Sequence, residues 1–265
     1  MPQKIGGDML ELLEIWNQLG FGDQELEEVQ FLELGPFKDL RIEEKGRLEL
    51  PNKEEIGKRW REHIRLHPYD FDGPLLSLSA VRKEGEVLIL EARRTAYRDY
   101  VATRHGGIRR LDFAKNPLDD FFPLPIGVGA ISLTKDDRIV FGVREKVGIG
   151  KGRVINLPAG FFNPESDPTW SDCLRRELKE ELGIGEHIQA RIMGLVFDCR
   201  LSQMPSVAVS LRLPVDSQEI RPANEETGEI LLVENDPEAV RKWVVEKYPL
   251  MPHTKAKLVL HFMME

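Results

Sequence analysis

The sequence predicts a mixed α/β fold of the α+β kind. Strand-like and helix-like segments alternate along the chain, with no internal repeat and no low-complexity tract. At 265 residues and 41% hydrophobic content, the chain has enough apolar material for one large domain or two small ones. A boundary falls near residue 122. Residues 1–122 read as a smaller β-containing lobe, and residues 123–265 as the larger domain with a mixed sheet between helices.

The elements follow in order. Residues 9–19 carry a helical apolar pattern, and residues 30–34 and 47–50 read as short strands. Asn52 opens a helix over 53–67 that Pro68 stops. Residues 75–81 and 86–91 form a strand pair that turns at Lys83-Glu84-Gly85. A polar segment at 93–110 and a loop to Pro125 come next. Residues 126–133 and 138–143 make a second hairpin around Lys135-Asp136-Asp137. An apolar run at 153–157 ends in the turn formers Pro158-Ala159-Gly160. Thr169 then caps a helix that Gly183 stops. Strands at 189–198, 206–213 and 229–233, and helices at 236–247 and 253–264, complete the chain.

Composition excludes several classes of function. The formal net charge is −8 and the basic residues are dispersed, so no electrostatic surface for nucleic acid is expected. No apolar run approaches 18 residues, and residues 1–14 lack the apolar core of a signal peptide. The expectation is a chain without membrane contact, located in the cytoplasm. Cys173 and Cys199 make neither a disulfide framework nor a zinc set, and Cys173 reads as a packed free thiol. The oligomeric state stays open, a homodimer included.

The chemistry concentrates in Arg176-Glu177-Leu178-Lys179-Glu180-Glu181-Leu182-Gly183-Ile184. Helical spacing brings Glu177, Glu180 and Glu181 to one face. Three neighbouring carboxylates repel one another, and a divalent cation would make the arrangement favourable. A solvated acidic face neutralised by Lys179 and Arg175 is the competing reading. Upstream, the order strand, glycine turn, loop and capped helix favours the cation.

That order resembles the Nudix box: Gly, five residues, Glu, seven residues, then Arg-Glu-apolar-x-Glu-Glu-x-Gly-apolar. The second half is intact. The first half is two residues too long, because Pro168 stands at the family's loop Glu position and Phe162 at its Gly, while Gly160 comes earlier. Glu165 or Asp167 then replaces the loop carboxylate. Further likeness lies in Trp60, Pro68-Tyr69-Asp70-Phe71-Asp72-Gly73-Pro74, Thr95 to Thr103, Gly127-Val128-Gly129-Ala130 and Glu225-Glu226-Thr227-Gly228. These resemble the Nudix subfamily that includes an animal UDP-glucose pyrophosphatase and a plant relative linked to GDP-mannose hydrolysis.

The resemblance implies a Nudix α/β/α sandwich and Mg²⁺- or Mn²⁺-dependent cleavage of a nucleoside-diphosphate sugar into a nucleoside monophosphate and a sugar 1-phosphate. Metal ligands would be Glu177, Glu180, Glu181, the Ala159 carbonyl and Glu165. Arg176 would hold a box carboxylate, and Glu225 or Glu226 would be a general base. Tyr97, Arg98, Asp99, Arg144 and Gly160 would face the substrate, with an internal hydrogen-bond cluster as the alternative for Tyr97, Arg98 and Asp99. Two other functions remain open: hydrolysis of ADP-ribose or another dinucleotide, and nucleotide binding without turnover. The Gly148 to Gly152 turn with its flanking cations reads as a solvated hairpin, His63 and His67 as a helix-surface pair, and Trp170 as a residue packed on the sheet.

Overall fold

The computed structural model describes residues 8–68, 70–104, 111, 122–147, 149–185 and 189–265. The chain begins with helices α1 (Asp8–Gln18) and α2 (Asp23–Leu26), then strands β1 (Val29–Phe37) and β2 (Asp39–Arg47). Helix α3 (Lys53–Leu66), the hairpin β3 (Pro74–Glu84) and β4 (Val87–Ala96), and helix α4 (Tyr97–Thr103) follow. Beyond residue 122 come β5 (Gly127–Leu133), β6 (Arg138–Arg144), β7 (Val154–Asn156), β8 (Ala159–Phe161) and helix α5 (Trp170–Leu182). The chain continues through β9 (Gln189–Asp198), β10 (Pro205–Arg212), β11 (Thr227–Glu234), α6 (Pro237–Val240) and α7 (Pro252–Met264).

Two sheets result. The larger has the order β1-β9-β10-β5-β6-β11, and the smaller has the order β2-β4-β3. In the larger sheet β10 and β5 run parallel and the other neighbours run antiparallel. Alternation along β5 divides the core, as period-2 geometry requires. Val128 and Ala130 join Cys173, Leu174, Leu178 and Leu182 of α5. Ile131 and Leu133 join Leu12 and Trp16 of α1 and Leu258 and Val259 of α7. The large sheet is therefore sandwiched between α5 on one face and α1 with α7 on the other, the expected α/β/α architecture.

One irregularity in this sheet shapes the site. Strands β5 and β6 pair only at Ser132↔Val140 and Leu133↔Ile139. Beyond that point they part. β5 pairs with β8 through Gly127, Val128 and Gly129, and β6 pairs with β7 through Phe141, Gly142 and Val143. The opening lies beside Gly129, Asn156 and Ala159.

Residues 1–122 contribute to both sheets. β1 pairs with β9 in the larger one, while β2, β3 and β4 form the smaller. Several element boundaries differ from the sequence reading. The strand expected at 47–50 lies earlier, at 39–47, because the charged β2 completes the small sheet by pairing parallel with β4. Arg82 to Glu43 and Arg94 to Glu44 ion pairs hold that edge, so tertiary pairing overrides weak strand propensity. The polar segment at 93–110 is regular at its start: β4 runs to Ala96 and α4 follows. Residues 236–247 are not one helix; α6 opens into a wider turn at Arg241–Val245. Among the described residues, no helix is long and apolar enough to cross a membrane.

Candidate active site

Helix α5 is fixed at both ends by its own sequence. Thr169 Oγ1 accepts from Asp172 N, and the Asp172 carboxylate accepts from Thr169 N at 3.0 Å, a reciprocal capping box. Gly183 ends the helix at φ 70°, a left-handed conformation that glycine adopts without strain. Cys173, Leu174, Leu178 and Leu182 form the buried stripe. Glu177 and Glu181 lie beside that stripe, four residues apart, and so enter the protein rather than solvent. Glu180 stands at the rim, with a side chain 55% exposed.

Arg176 organises this face. Its Nε donates to Asp167 Oδ1 and its Nη2 to Asp167 Oδ2, each at 2.9 Å. Nη1 donates to Glu177 Oε1 at 2.7 Å and to Glu180 Oε2 at 3.2 Å, and Nη2 also reaches the Phe161 carbonyl at 3.0 Å. The forked guanidinium can make these bonds at once, and lysine cannot. Burial opposes the charge on Arg176, and its pairs with Asp167 and Glu177 more than offset that. Asp167 is lowered likewise: burial works against it, and Arg176 and the Asn163 amide outweigh burial.

The two inward carboxyls, unlike Asp167, are both raised. Burial raises Glu177 to about 7, against the pull of Arg176. Burial, then repulsion from Glu177, holds Glu181 well above the usual carboxylate range, although Ala159 N donates to its Oε2 at 2.9 Å. Gly160 is required where it stands: a Cβ there would overlap the Glu177 carboxylate.

A cavity of about 380 Å³ opens over these groups. Of the residues singled out from sequence, Tyr97, Arg144, Ala159, Gly160, Arg176, Glu177, Glu180, Glu181 and Glu226 line it. Others lie elsewhere. Arg98 is exposed, pairing with Asp72 and Asp99, and Asp99 also accepts from Thr95 Oγ1 at 3.5 Å. Glu165 is exposed on the loop, its amide donating to Asn163 Oδ1 at 2.9 Å. Glu225 is turned out to Lys146, at 2.6 Å. Glu226 reaches the cavity from its rim. The surrounding protein desolvates its carboxyl and raises it, against Arg144. Lys146 and Arg153, which flank the glycine turn, bind Glu225 and the Leu250 carbonyl; Gly148 lies outside the described residues.

The profile of the NUDIX domain family matches residues 123–254. The chain carries a Nudix domain. Human (Homo sapiens) uridine diphosphate glucose pyrophosphatase NUDT22 is 26% identical over 145 residues, which are 51% of this chain and 46% of that protein. The chain thus spans about half the length of this curated relative. Among solved structures, the NUDIX domain of Shewanella oneidensis NrtR complexed with ADP ribose is 15% identical, with TM-score 0.40 over 57% of this chain and 95% of that one. DR0079 from Deinococcus radiodurans is 13% identical, with TM-score 0.44 over 71% and 98%.

The Nudix helix carries hard oxygen donors suited to Mg²⁺ or Mn²⁺. Among the described residues, no three His, Cys, Asp or Glu side chains stand as a ready ligand set. The crowding itself fits a cation. Burial pushes up both Glu177 and Glu181, with Glu180 and Asp167 adding to the first and Glu177 to the second, and a cation in place of their protons relieves both effects. In the bonds above Glu177 uses Oε1 and Glu181 uses Oε2, and each carboxylate has a second oxygen.

Sequence reasoning gave no site role to several residues in or beside the cavity. Asp70 Oδ2 sits 2.7 Å from His63 Nε2 and accepts from the Tyr97 hydroxyl at 3.2 Å, so the paired histidine has a carboxylate partner after all. Trp60 stacks on His63, with ring centroids 5.6 Å apart. Tyr100 and Phe161 meet edge to face at 5.7 Å, and the Tyr100 hydroxyl donates to the Ser202 carbonyl. His253 and Lys257 reach the cavity from α7, one helical turn apart. A histidine and a lysine four apart, and so on one helical face, were the available signal. Asp167 was weighed as a metal ligand, whereas its carboxylate is occupied by Arg176, Asn163 and Ser166.

Proposed function

We propose that this Nudix chain is a divalent-metal-dependent pyrophosphohydrolase acting on a nucleoside-diphosphate sugar. One observation carries the reading. A single cavity joins the α5 carboxylates to an aromatic wall of Tyr97, Tyr100, Phe161 and Phe71. Aromatic faces suit the base or sugar of such a substrate, and carboxylates with a cation suit its diphosphate. The proposed division at 122/123 acquires a purpose here: Asp70, Phe71, Tyr97 and Tyr100 come from the N-terminal part and the carboxylates from the Nudix domain.

Glu177, Glu180, Glu181 and the Ala159 carbonyl would hold Mg²⁺ or Mn²⁺. When bound there, such an ion would supply charge neutralisation of the diphosphate and a more acidic water. The chain's residues do the rest. Arg176 keeps Glu177 in one rotamer, and the Ala159 amide keeps Glu181 in place. Glu226, with its raised pKa and cavity position, takes the proton of the attacking water. Arg144 steadies charge on the phosphoryl oxygens. Water adds to phosphorus, the bridging P–O bond breaks, and a nucleoside monophosphate and a sugar phosphate leave.

The test is a hydrolysis screen of UDP-, GDP- and ADP-sugars and ADP-ribose with Mg²⁺ and Mn²⁺, with products identified by mass. Turnover of a nucleotide sugar to those two products is expected. Turnover of ADP-ribose alone, or tight nucleotide binding without turnover, overturns the reading.

A further inference from the structure

The cavity floor holds a lysine that the mechanism above does not use; burial lowers its pKa to about 7, against the pull of the Glu181 carboxylate. Lys257, on α7, is fully buried, and its Nζ has no hydrogen-bond partner among the described residues. Charging a buried amine that makes no hydrogen bond is costly, and an anion bound against it offsets that cost. The chain makes room for it. Gly129 on β5 lacks a side chain, and a Cβ there would overlap Lys257 Nζ and lie 2.8 Å from Asn156 Nδ2. Asn156 is itself held: its Nδ2 donates to the Ala130 carbonyl at 3.0 Å, and its Oδ1 accepts from Thr254 Oγ1 at 3.0 Å. The Lys257 nitrogen therefore rests on a fixed platform where β5 and β6 part.

A second donor shares this property. Arg144 Nε, on β6, is buried without a partner among the described residues, and Arg144 lines the same cavity. His253 also lines it, but its Nδ1 faces the Asp198 carboxylate at 3.8 Å, so it already has an acidic neighbour.

We propose that Lys257 Nζ and Arg144 Nε form a phosphoryl-oxygen subsite on the cavity floor that takes one phosphate of the substrate's diphosphate. Both groups only donate hydrogen bonds, so their occupant must be rich in acceptors. A phosphoryl group presents several, and its charge answers both cations. The cavity then grips a diphosphate from two sides: α5 through a cation on its carboxylates, α7 and β6 through direct donors. The identity of the anion as a substrate phosphate rests on the proposed function.

Titration calorimetry of the full chain with inorganic pyrophosphate in EDTA tests the subsite apart from the metal. Wild type binds, and Lys257→Met weakens binding by at least about 10-fold, the loss of one charge-assisted hydrogen bond. Arg144→Gln, at a half-buried position, weakens binding as well and carries the test if Lys257→Met does not fold. Lys242→Met, which removes an exposed lysine, leaves binding within about twofold. No binding by wild type, unchanged binding in both site variants, or an equal loss in Lys242→Met overturns the subsite. Nucleotide-sugar turnover in the same wild-type preparation separates the two claims. Turnover with unchanged variant binding removes the subsite and leaves the function. Weakened variant binding with no turnover removes the function and leaves the subsite.

Discussion

Asp167→Asn changes one atom in the loop before α5 and should show which loop carboxylate the fold depends on. The Asp167 side chain is 1% exposed and accepts four hydrogen bonds: Arg176 Nε and Nη2 and Asn163 N at 2.9 Å each, and Ser166 Oγ at 3.2 Å. An amide presents NH₂ to two of these donors whichever way it is turned. Breaking a buried ion pair from one side costs about 3–5 kcal/mol. Arg176 keeps Glu177 and Glu180, so the lower end applies, about 3 kcal/mol. For a chain of this size that lowers the melting temperature by about 6–12 °C. Urea unfolding at a series of pH values measures it. The sign follows from the lowered pKa of Asp167. A carboxylate held below its unfolded value contributes stability that is complete above that value, near 3.9, and is lost as pH falls through the folded value. The gap between wild type and variant is therefore full at pH 7 and closes in acid. Glu165→Gln, at an exposed position, should stay within about 0.5 kcal/mol of wild type. A gap below about 0.5 kcal/mol for Asp167→Asn at pH 7, or one that stays constant down to pH 2, refutes the reasoning.

Three further outcomes are expected. Gly160→Ala pushes the Glu177 carboxylate aside and should lower turnover by about 100-fold or more while the protein still melts cooperatively; a wild-type rate removes the packing argument. Burial raises Glu177 to about 7, so the metal-free protein should lose stability as pH rises from about 4.5 through about 7, its neutral form being the favoured one. Mg²⁺ should accordingly raise the melting temperature more at pH 8 than at pH 5. Glu181→Gln should shrink that Mg²⁺ gain and cut turnover by orders of magnitude, and equal gains in both proteins count against a metal on these carboxylates. Tyr97→Ala should raise KM for a nucleotide sugar by about 10-fold with a smaller change in kcat, and an unchanged KM places the base elsewhere.

What the sequence disclosed about this site depends on the range of the interaction concerned. Helix α5 was readable because its determinants are local to its thirteen residues and the two caps: Thr169 and Asp172 cap it, Gly183 stops it, and the spacing of the leucines turns Glu177 and Glu181 inward. The loop before it was readable in length but not in purpose. Two extra residues are visible in the sequence, yet only the folded chain shows that Asp167 returns to Arg176 while Glu165 stays in solvent. The charged strand β2 was misplaced because its partner β4 lies some fifty residues away and supplies what its own propensity lacks.

The α7 cation marks the far end of that scale. Ala256, Leu258, Val259 and Leu260 beside Lys257 are all buried, and none of them accounts for a lysine there. The explanation is a missing side chain 128 positions earlier, at Gly129, together with the parting of β5 from β6 that brings Asn156 and Ala159 alongside. In sequence Gly129 reads as one more small residue in a strand, and Lys257 as one more charge on a terminal helix. Together in the fold they aim the Lys257 amine at the cavity that the Glu177 and Glu181 carboxylates face. A Gly129→Ala substitution tests that coupling without touching either charge. The new methyl must displace the end of Lys257, so pyrophosphate binding should fall as in Lys257→Met. If Gly129→Ala folds and binds as wild type does, the opening in the sheet is not what positions the lysine.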